Sequence, residues 1–228
     1  MIIQGACCKQ FGTALEGELM GQSYDRTKRV MDLVVAVPLL VLTLPIQAAT
    51  ALIIRIRMGK PVLFRQTRPG LRAKPFDIVK FRTMLNVAPE RILKDDAIRM
   101  TPLSRWLRAT SLDELPTLWN VIRGDMSMVG PRPLLMSYLA RYSPEQARRH
   151  QVRPGLTGLA QVSGRNALSW EDKFRLDVHY VDHHTFFGDL KIIWGTVVSV
   201  AKRDGISADG DATMPEFLGN DSQEAASA

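Results

Sequence analysis

The stretch VMDLVVAVPLLVLTLPIQAATALII, residues 30–54, is the longest apolar run of the chain. About 20 apolar residues suffice for a helix to cross a bilayer. Positive charge marks the cytoplasmic side of a membrane segment, and here it flanks both ends of the run. The flanking residues are Arg26, Lys28, Arg29, Arg55, Arg57 and Lys60. A segment that enters one leaflet, turns and leaves on the same side accounts for both the length and the charges.

Pro38 and Pro45 lie inside this run and supply a bend for such a re-entrant helix. Proline removes an intrahelical hydrogen bond and clashes with the preceding turn. Backbone groups freed at membrane depth need partners within the protein, so we expect the bend to pack against other parts of the fold. Two alternatives stay open at this point: a kinked helix that spans the bilayer, and a helix buried in the protein core.

The composition favours anionic partners. The chain has 228 residues, enough for one domain with tails, with a formal net charge of +7 and a pI near 9.7. This charge suits nucleic acid, acidic lipid headgroups or phosphorylated substrates, and beside a membrane segment we prefer lipid phosphate. Cys7 and Cys8, the only cysteines, are adjacent. They exclude a disulfide framework and indicate a reducing cytosolic environment.

The rest of the chain predicts one predominantly helical α+β domain. Two β-prone runs, residues 61–66 and 75–82, surround a turn near Pro69 and Gly70 and indicate a β-hairpin. Capping residues, prolines and glycines mark the helix ends. The predicted helices cover residues 89–100, 102–109, 116–122, 144–150, 170–184 and 185–203. The last of them is apolar over much of its circumference, which fits the membrane interface and a core position about equally.

Asp113 and Glu114, in the sequence RATSLDELP, are the sharpest candidates for chemistry. They fall in or just before the first turn of the helix that contains Pro116, where the helix dipole favours ionised carboxylates. Ser111 and Glu114 also match a capping box, so a purely structural role is the alternative. Arg108 lies five residues before Asp113. An ionised carboxylate is a competent nucleophile toward phosphorus when a metal neutralises the phosphate charge.

Several basic residues are candidates for phosphate binding. Arg132 lies between Pro131 and Pro133, and a rigidly held guanidinium suits bidentate phosphate recognition, although a rigid surface turn has the same pattern. The hairpin region interleaves three phenylalanines with basic residues. The basic residues are Arg65, Arg68, Arg72, Lys74, Lys80 and Arg82. Nucleic-acid binders use similar mixtures, but beside a membrane segment we prefer a surface for anionic lipid.

Three weaker patterns follow. The stretch RPGLTGLAQVSGRN, residues 153–166, would let backbone amides approach a diphosphate, with Arg165 at its end, but it lacks a Walker lysine. The next helix carries a polar stripe of Lys173, Asp177, Tyr180 and His184. A solvated helix face explains such a stripe equally well. His179 and His183 have the spacing of a zinc pair without the glutamate of H-E-x-x-H, so we expect no metal there.

Together these motifs resemble the bacterial sugar transferases, the monotopic phosphoglycosyl transferases that start glycan assembly on polyprenyl phosphate. The resemblance covers about residues 24–219. Its motifs are KRVMD before the apolar run, FDIVKFRTM, RATSLDELPTLWNVIRGDMSMVGPRP, VRPGLTGLAQVSGRN and W-x-x-K-F-x-x-D-x-x-Y. The chain is similar in length to the minimal catalytic form of that family.

This resemblance implies a Mg²⁺-dependent transfer of a sugar phosphate from a UDP-sugar to undecaprenyl phosphate, with release of UMP. It implies that Asp113 attacks the β-phosphorus and carries a covalent phosphosugar. Glu114 is then its partner, which helps to hold Mg²⁺ or to position the lipid phosphate. Contacts with phosphates, uridine or one another are implied for Lys80, Arg82, Arg108, Arg132, Arg165 and Asp177.

The resemblance also bears on the membrane segment. Pro45 aligns with the proline that breaks the re-entrant helix of the family. Leu44 precedes it, where some members have a serine whose hydroxyl could satisfy freed backbone groups. Thr43 is the hydroxyl that could replace that serine here; otherwise Pro45 alone makes the break.

We therefore predict four segments, with a monotopic anchor and a catalytic domain on the cytoplasmic face of a bacterial inner membrane. They are an N-terminal extension (1–22), a re-entrant membrane helix (23–58), a catalytic domain (59–205) and a C-terminal tail (206–228). The expected partners are a UDP-sugar, undecaprenyl phosphate and anionic lipids, without nucleic acid; a homo-oligomer is left open. The rival functions are a membrane-docked adaptor with a basic face, and a nucleic-acid-binding module whose apolar run is core. The sequence does not identify the sugar.

Overall fold

A computed structural model describes residues 4–85, 99–164, 168–202 and 216–219, with the backbone alone for residues 4–24 and 201–202. The α-helices are α1 (Gln4–Arg57), α2 (Pro102–Ala109), α3 (Leu118–Arg123), α4 (Pro144–Ala147), α5 (Leu159–Ser163), α6 (Trp170–His183) and α7 (Phe186–Lys202). Short 3₁₀-helices cover Leu71–Ala73, Leu112–Thr117, Met136–Arg141 and Arg148–Gln151. The strands are β1 (Leu63–Pro69), β2 (Pro75–Phe81), β3 (Ser127–Val129) and β4 (Gly155–Thr157). The predicted α+β class, predominantly helical, is confirmed.

The helix α1 contains the whole apolar run. It is 54 residues long, and both Pro38 and Pro45 lie inside it. Its part Asp25–Arg57 is long and apolar enough to cross a membrane, and only 11% of its most apolar window is buried. A helix in a protein core is hydrophobic all round and covered all round. The low burial therefore argues against the core-helix alternative.

Both flanks of the apolar run pack on the same folded unit. Toward the N-terminal flank, the Asp32 carboxylate accepts hydrogen bonds from the Ser127 hydroxyl and the Met128 amide, each at 2.9 Å. Toward the C-terminal flank, Ile54 is fully buried in a cluster with Phe81. Apolar side chains between the flanks are exposed: Val37, Leu39, Val41, Leu42, Leu44, Ile46, Leu52 and Ile53.

A polar pair, Thr43 and Gln47, lies beside Pro45. The Thr43 hydroxyl donates to the Leu39 carbonyl at 2.6 Å, and the Gln47 amide donates to the Thr43 hydroxyl at 3.0 Å. A hydroxyl bonded back to its own helix often bends that helix. The carbonyl that Pro45 leaves without its helical donor belongs to Val41, four residues earlier. Thr43 therefore bonds a different carbonyl from the one that the proline frees.

Lys28, one of the flanking basic residues, is buried instead of facing the membrane surface. Its ammonium forms an ion pair with Asp189 and donates to the Tyr180 hydroxyl at 2.9 Å. The same hydroxyl donates to Asp189 Oδ1 at 2.7 Å and lies 3.2 Å from the carbonyl oxygen of Val129. This network fastens the start of the membrane segment to α6, α7 and β3.

Two small sheets position the site. β1 and β2 form the predicted antiparallel hairpin, with Leu63 opposite Phe81. β3 and β4 pair in parallel, and the sequence did not predict them. A Cβ on Gly155 would lie 2.1 Å from the Gly130 nitrogen, so the close approach of these two segments requires glycine. Gly155 thus has a packing role that needs no diphosphate.

Three of the predicted helices are confirmed. α2, α6 and α7 lie where the sequence predicts them. Of the predicted helix at 89–100, residues 89–98 lie outside the described residues. The predicted C-terminal tail is described only at residues 216–219, where Phe217 is fully buried.

Two shorter helices differ in form from the prediction. The helix expected at Pro116 begins earlier, as the 3₁₀-helix Leu112–Thr117, continues as α3 and ends at Gly124, which has a φ of 91°. The capping box at Ser143 is formed, but α4 has only four residues and continues as the 3₁₀-helix Arg148–Gln151. The start and stop signals in the sequence therefore predicted where these two helices lie, whereas their type, α or 3₁₀, depends on tertiary packing.

Candidate active site

The Asp113–Glu114 pair lies on the 3₁₀-helix Leu112–Thr117, between α2 and α3. Ser111, the residue before this helix, has a φ of 55°, and its side chain makes no capping hydrogen bond. The capping-box alternative for Ser111 and Glu114 is therefore wrong. The Glu114 side chain is engaged by two cations instead.

The strand β2 holds this short helix in place. The Thr117 hydroxyl donates to the Val79 carbonyl at 2.8 Å. Asn120 of α3 bonds the same strand, since its Oδ1 accepts from the Val79 amide at 3.0 Å and its Nδ2 donates to the Asp77 carbonyl at 2.8 Å. Thr117 and Asn120 are both fully buried. Because Lys80 follows Val79 on β2, these bonds also fix Lys80 relative to the two carboxylates.

Glu114 binds Lys80 and Arg132 through one oxygen. Its Oε1 accepts from Lys80 Nζ at 2.5 Å and from Arg132 Nη2 at 2.8 Å. Burial disfavours the charge of Glu114, but Arg132 and Lys80 outweigh it and hold the pKa of this carboxyl well below its usual range. Glu114 is therefore an ionised group whose charge is already neutralised by protein cations.

Asp113 has a different environment from its neighbour. Among the residues that the structure describes, none donates a hydrogen bond to its carboxylate. Burial, followed by the negative charge of Glu114, raises the pKa of Asp113 to about 6, against the opposing charges of Lys80, Arg108 and Arg132. Neighbouring titratable groups whose environments push their pKa values apart are typical of acid–base and nucleophilic sites. Asp113 is thus the free and more basic carboxylate of the pair.

Arg108 completes the group of cations around the pair. It comes from the last turn of α2, and its Nε donates to the Thr83 hydroxyl at 3.1 Å. Its positive charge acts on Asp113. The structure therefore brings together five of the predicted site residues: Asp113, Glu114, Lys80, Arg108 and Arg132.

Arg82 lies apart from this group. It is 4% exposed, and its guanidinium donates to the carbonyls of Met58 at 2.5 Å, Gly59 at 2.9 Å and Lys60 at 3.1 Å. These three residues directly follow α1, which ends at Arg57, so Arg82 fixes the turn by which the chain leaves this helix. These contacts explain its burial without a substrate, and a substrate-binding role for Arg82 stays a prediction.

Asp177 is connected to the site through Arg149. Its Oδ2 accepts from Arg149 Nη2 at 2.7 Å and Nε at 3.1 Å, and both side chains are buried. Arg149 in turn donates to the Arg132 carbonyl at 2.7 Å. The polar stripe predicted on α6 is therefore not simply a solvated face at Asp177. Arg165 lies outside the described residues.

Arg149 was not predicted from the sequence. It stands in SPEQARRH, between two other basic residues and beside a surface helix. Its partners Asp177 and Arg132 lie 28 and 17 residues away, so no local spacing indicates the contact. The nearest sequence signal was Asp177 in the predicted polar stripe, and the structure shows it 5% exposed, where an aspartate needs a partner of opposite charge.

The carboxylate pair can accommodate Mg²⁺. Within the described residues there is no group of three or more His, Cys, Asp or Glu side chains suited to a metal. Both oxygens of Asp113 and the Oε2 of Glu114 accept no hydrogen bond from described residues. Magnesium is usually held by one or two protein carboxylates, with substrate phosphates and water as the other ligands. The free oxygens of this pair fit that pattern.

A family model for bacterial sugar transferases matches residues 23–203. This chain therefore belongs to the bacterial sugar transferase family, as its motifs indicate. An uncharacterized sugar transferase of Bacillus subtilis, EpsL, is 50% identical over 194 residues, which are 85% of this chain and 96% of the relative.

Two further relatives have names that state an activity. The UDP-glucose:undecaprenyl-phosphate glucose-1-phosphate transferase of Caulobacter vibrioides is 43% identical over 202 residues, or 82% of this chain and 74% of that protein. The undecaprenyl-phosphate galactose phosphotransferase of Salmonella typhimurium is 34% identical over 209 residues, or 84% of this chain. The match covers only 44% of the Salmonella protein, so this chain corresponds to less than half of that relative.

Proposed function

We propose that this protein transfers a sugar-1-phosphate from a UDP-sugar to undecaprenyl phosphate and releases UMP. The names of the Caulobacter and Salmonella relatives support these substrate classes. The observation that carries the proposal is the division of roles within the carboxylate pair. Glu114 is neutralised by Lys80 and Arg132, whereas Asp113 is free of hydrogen bonds from described residues and has a raised pKa. Such a pair offers one nucleophile beside cations that bind phosphate.

Asp113 is the nucleophile in this proposal. One carboxylate oxygen forms a bond to the β-phosphorus of the UDP-sugar, and the bond from that phosphorus to the bridging oxygen breaks. UMP leaves with the bonding electron pair, and the sugar phosphate stays on Asp113. A pKa of about 6 keeps this carboxylate ionised at neutral pH while making it more basic than an ordinary aspartate. Glu114 is the poorer nucleophile, because Lys80 and Arg132 neutralise its charge and hold its pKa well below the usual range.

Undecaprenyl phosphate completes the exchange. A phosphate oxygen of the lipid attacks the phosphorus of the adduct, and Asp113 leaves as a carboxylate. Lys80, Arg108 and Arg132 stabilise the negative charge that spreads over the phosphoryl oxygens in both displacements. Bound Mg²⁺, held by Asp113 and the Oε2 of Glu114, would neutralise phosphate charge.

Assay of UMP release tests this function directly. The purified protein is incubated with Mg²⁺, undecaprenyl phosphate and, in turn, UDP-glucose, UDP-galactose and the UDP-linked N-acetylated and diamino sugars. We expect catalytic UMP release with at least one donor, together with a lipid-linked sugar diphosphate. Without the lipid, release should stop at one UMP per enzyme molecule. Folded protein that releases no UMP with any donor would contradict the proposal.

The helix α1 is, in this proposal, a re-entrant anchor. The contacts of Asp32 with β3 and of Ile54 with Phe81 support it, because both flanks then belong to one cytoplasmic domain. A straight crossing would separate the flanks by about 30 Å of hydrocarbon. The side-chain hydrogen bonds of Thr43, next to Pro45, favour a bend at that level.

The helix α7 would add a contact at the membrane interface. Phe187 and Trp194 are 79% and 69% exposed on it, and Val197 is also exposed. Aromatic side chains favour the headgroup region. Together with the basic hairpin, which suits anionic headgroups, this surface would keep the carboxylate pair at the height of the lipid phosphates.

Cysteine labelling checks the anchor. In a variant with Cys7 and Cys8 replaced by serine, single cysteines at the exposed positions Asp25 and Lys74 mark the two flanks. We expect a membrane-impermeant maleimide to label both in inside-out vesicles and neither in intact spheroplasts, since both flanks lie on the cytoplasmic side. Labelling of position 25 in spheroplasts, with position 74 protected, would establish a spanning helix instead.

A further inference from the structure

The C-terminal segment 216–219 returns to the catalytic domain. Phe217 is fully buried, and both of its backbone groups are bonded. Its amide donates to the Tyr138 hydroxyl at 3.2 Å, and its carbonyl accepts from the Arg141 guanidinium. Arg141 also donates to the Glu216 carboxylate at 2.7 Å. The segment therefore packs into the domain through Phe217 instead of lying on its surface.

Phe217 completes an aromatic cluster. Its ring centre lies 5.0 Å from that of Phe174 and 5.7 Å from that of Trp170. The Tyr142 ring stacks on it at 6.0 Å with an interplanar angle of 23°. Truncation of Phe217 would leave a cavity beside these rings, and cores relax only partly around such cavities. The rings of Tyr142 and Phe174 would then lose a supporting neighbour.

The same two rings also contact Arg149. The guanidinium carbon of Arg149 lies 5.8 Å from the Tyr142 ring centre and 5.6 Å from that of Phe174. Its Nη1 donates to the Tyr142 hydroxyl at 3.2 Å, and Asp177 binds its other nitrogens. The position of this buried guanidinium thus depends on the cluster that Phe217 closes.

Arg149 connects the cluster to the active site. Its Nη2 donates to the Arg132 carbonyl at 2.7 Å, and the Gly155 amide donates to the carbonyl of the preceding residue, Pro131, at 3.0 Å. The Arg132 side chain then reaches Glu114 at 2.8 Å. Two hydrogen bonds consequently fix the backbone of this segment, and one of them comes from the arginine that contacts the aromatic cluster.

We propose that Phe217 is a positioning residue, which sets the placement of Arg132 beside the carboxylate pair through Tyr142, Phe174 and Arg149. The inference rests on the proposed transferase function. A catalytic cation acts through geometry, and a displacement of about 1 Å can cost on the order of 10²-fold in rate. The C-terminal segment therefore contributes to catalysis although it touches neither carboxylate.

The test is the single-turnover rate constant for UMP release without undecaprenyl phosphate. A first-order rate constant does not depend on the fraction of folded enzyme, whereas the burst amplitude does, so the two readouts separate positioning from stability. We expect Phe217→Ala and Arg149→Lys each to lower the rate constant roughly 10-fold or more. Phe217→Leu should restore part of it. Leu218→Ala, at the neighbouring residue with 58% exposure, should match the wild type.

A double variant and a milder variant complete the test. Because both residues act through one path, Phe217→Ala combined with Arg149→Lys should be about as slow as the slower single variant. Arg141→Met releases the segment without emptying the cluster, and it should slow the reaction even if Phe217→Ala fails to fold. A wild-type rate constant in Phe217→Ala or Arg141→Met, with only the amplitude reduced, would overturn the inference. Absence of a burst in the wild type would instead count against the covalent mechanism.

Discussion

Asp113→Asn is expected to abolish sugar-phosphate transfer, with kcat lowered on the order of 10⁴-fold or more. The amide has nearly the same size but lacks the anionic oxygen that bonds to phosphorus. The Asp113 carboxylate accepts no hydrogen bond from described residues, so the fold should tolerate the change. Turnover is measured by UMP release, and the phosphosugar adduct by intact-protein mass spectrometry without lipid acceptor.

Asp182→Asn is the matched control. This aspartate is exposed on α6, where it forms an ion pair with Arg148, and exposed pairs contribute little to stability. The control should keep both the adduct and the turnover. A membrane-docked adaptor predicts equal behaviour of the two variants. If the Asp113→Asn protein formed the adduct at the wild-type rate, the nucleophile would have to be another group.

Local signals account for the parts of the fold that the sequence predicted. The capping box at Ser143 and the helix stop at Gly124 each depend on a few neighbouring residues, so they can be read from the chain. β3 and β4 are each three residues long, and residues 130–154 separate them in the sequence. No alternation of polar and apolar residues fits in three positions. Their pairing is therefore visible only in three dimensions.

In the candidate site, too, only the residues marked by a local sequence pattern were predictable. Asp113 and Glu114 stand out because acidic neighbours at a helix start are a compact signal. Lys80 and Arg82 are two residues apart and have the same sequence context, yet Lys80 binds Glu114 while Arg82 binds the turn that follows α1. Alternation continued past Phe81, where β2 ends, would put both on one face, so only the tertiary packing separates them. Arg149 gives no local signal, because its partners are distant in sequence.

Glu114→Gln is expected to lower kcat about 10²- to 10³-fold, in the range of other losses of charge preorganisation. The amide cannot neutralise Lys80 and Arg132. Both cations are then free to bind the remaining carboxylate, which lies on the adjacent residue. Asp113 would become a neutralised, less basic group, and the role of free nucleophile would be lost. The measurement is steady-state UMP release, followed from pH 4.5 to 8.

The pH profile tells this explanation apart from a simple loss of binding. In the wild type, kcat/KM should fall as the pH drops through about 6, because protonation removes the Asp113 nucleophile. Burial and the negative charge of Glu114 raise the pKa of Asp113. Glu114→Gln removes that negative charge and leaves Lys80 and Arg132 free to act on Asp113. The acidic limb should therefore move to lower pH while the plateau falls. Glu171→Gln, at an exposed glutamate at the start of α6, should change neither. A lower plateau with an unmoved or raised limb would mean that Glu114 acts on the substrate directly and does not keep the cations away from Asp113.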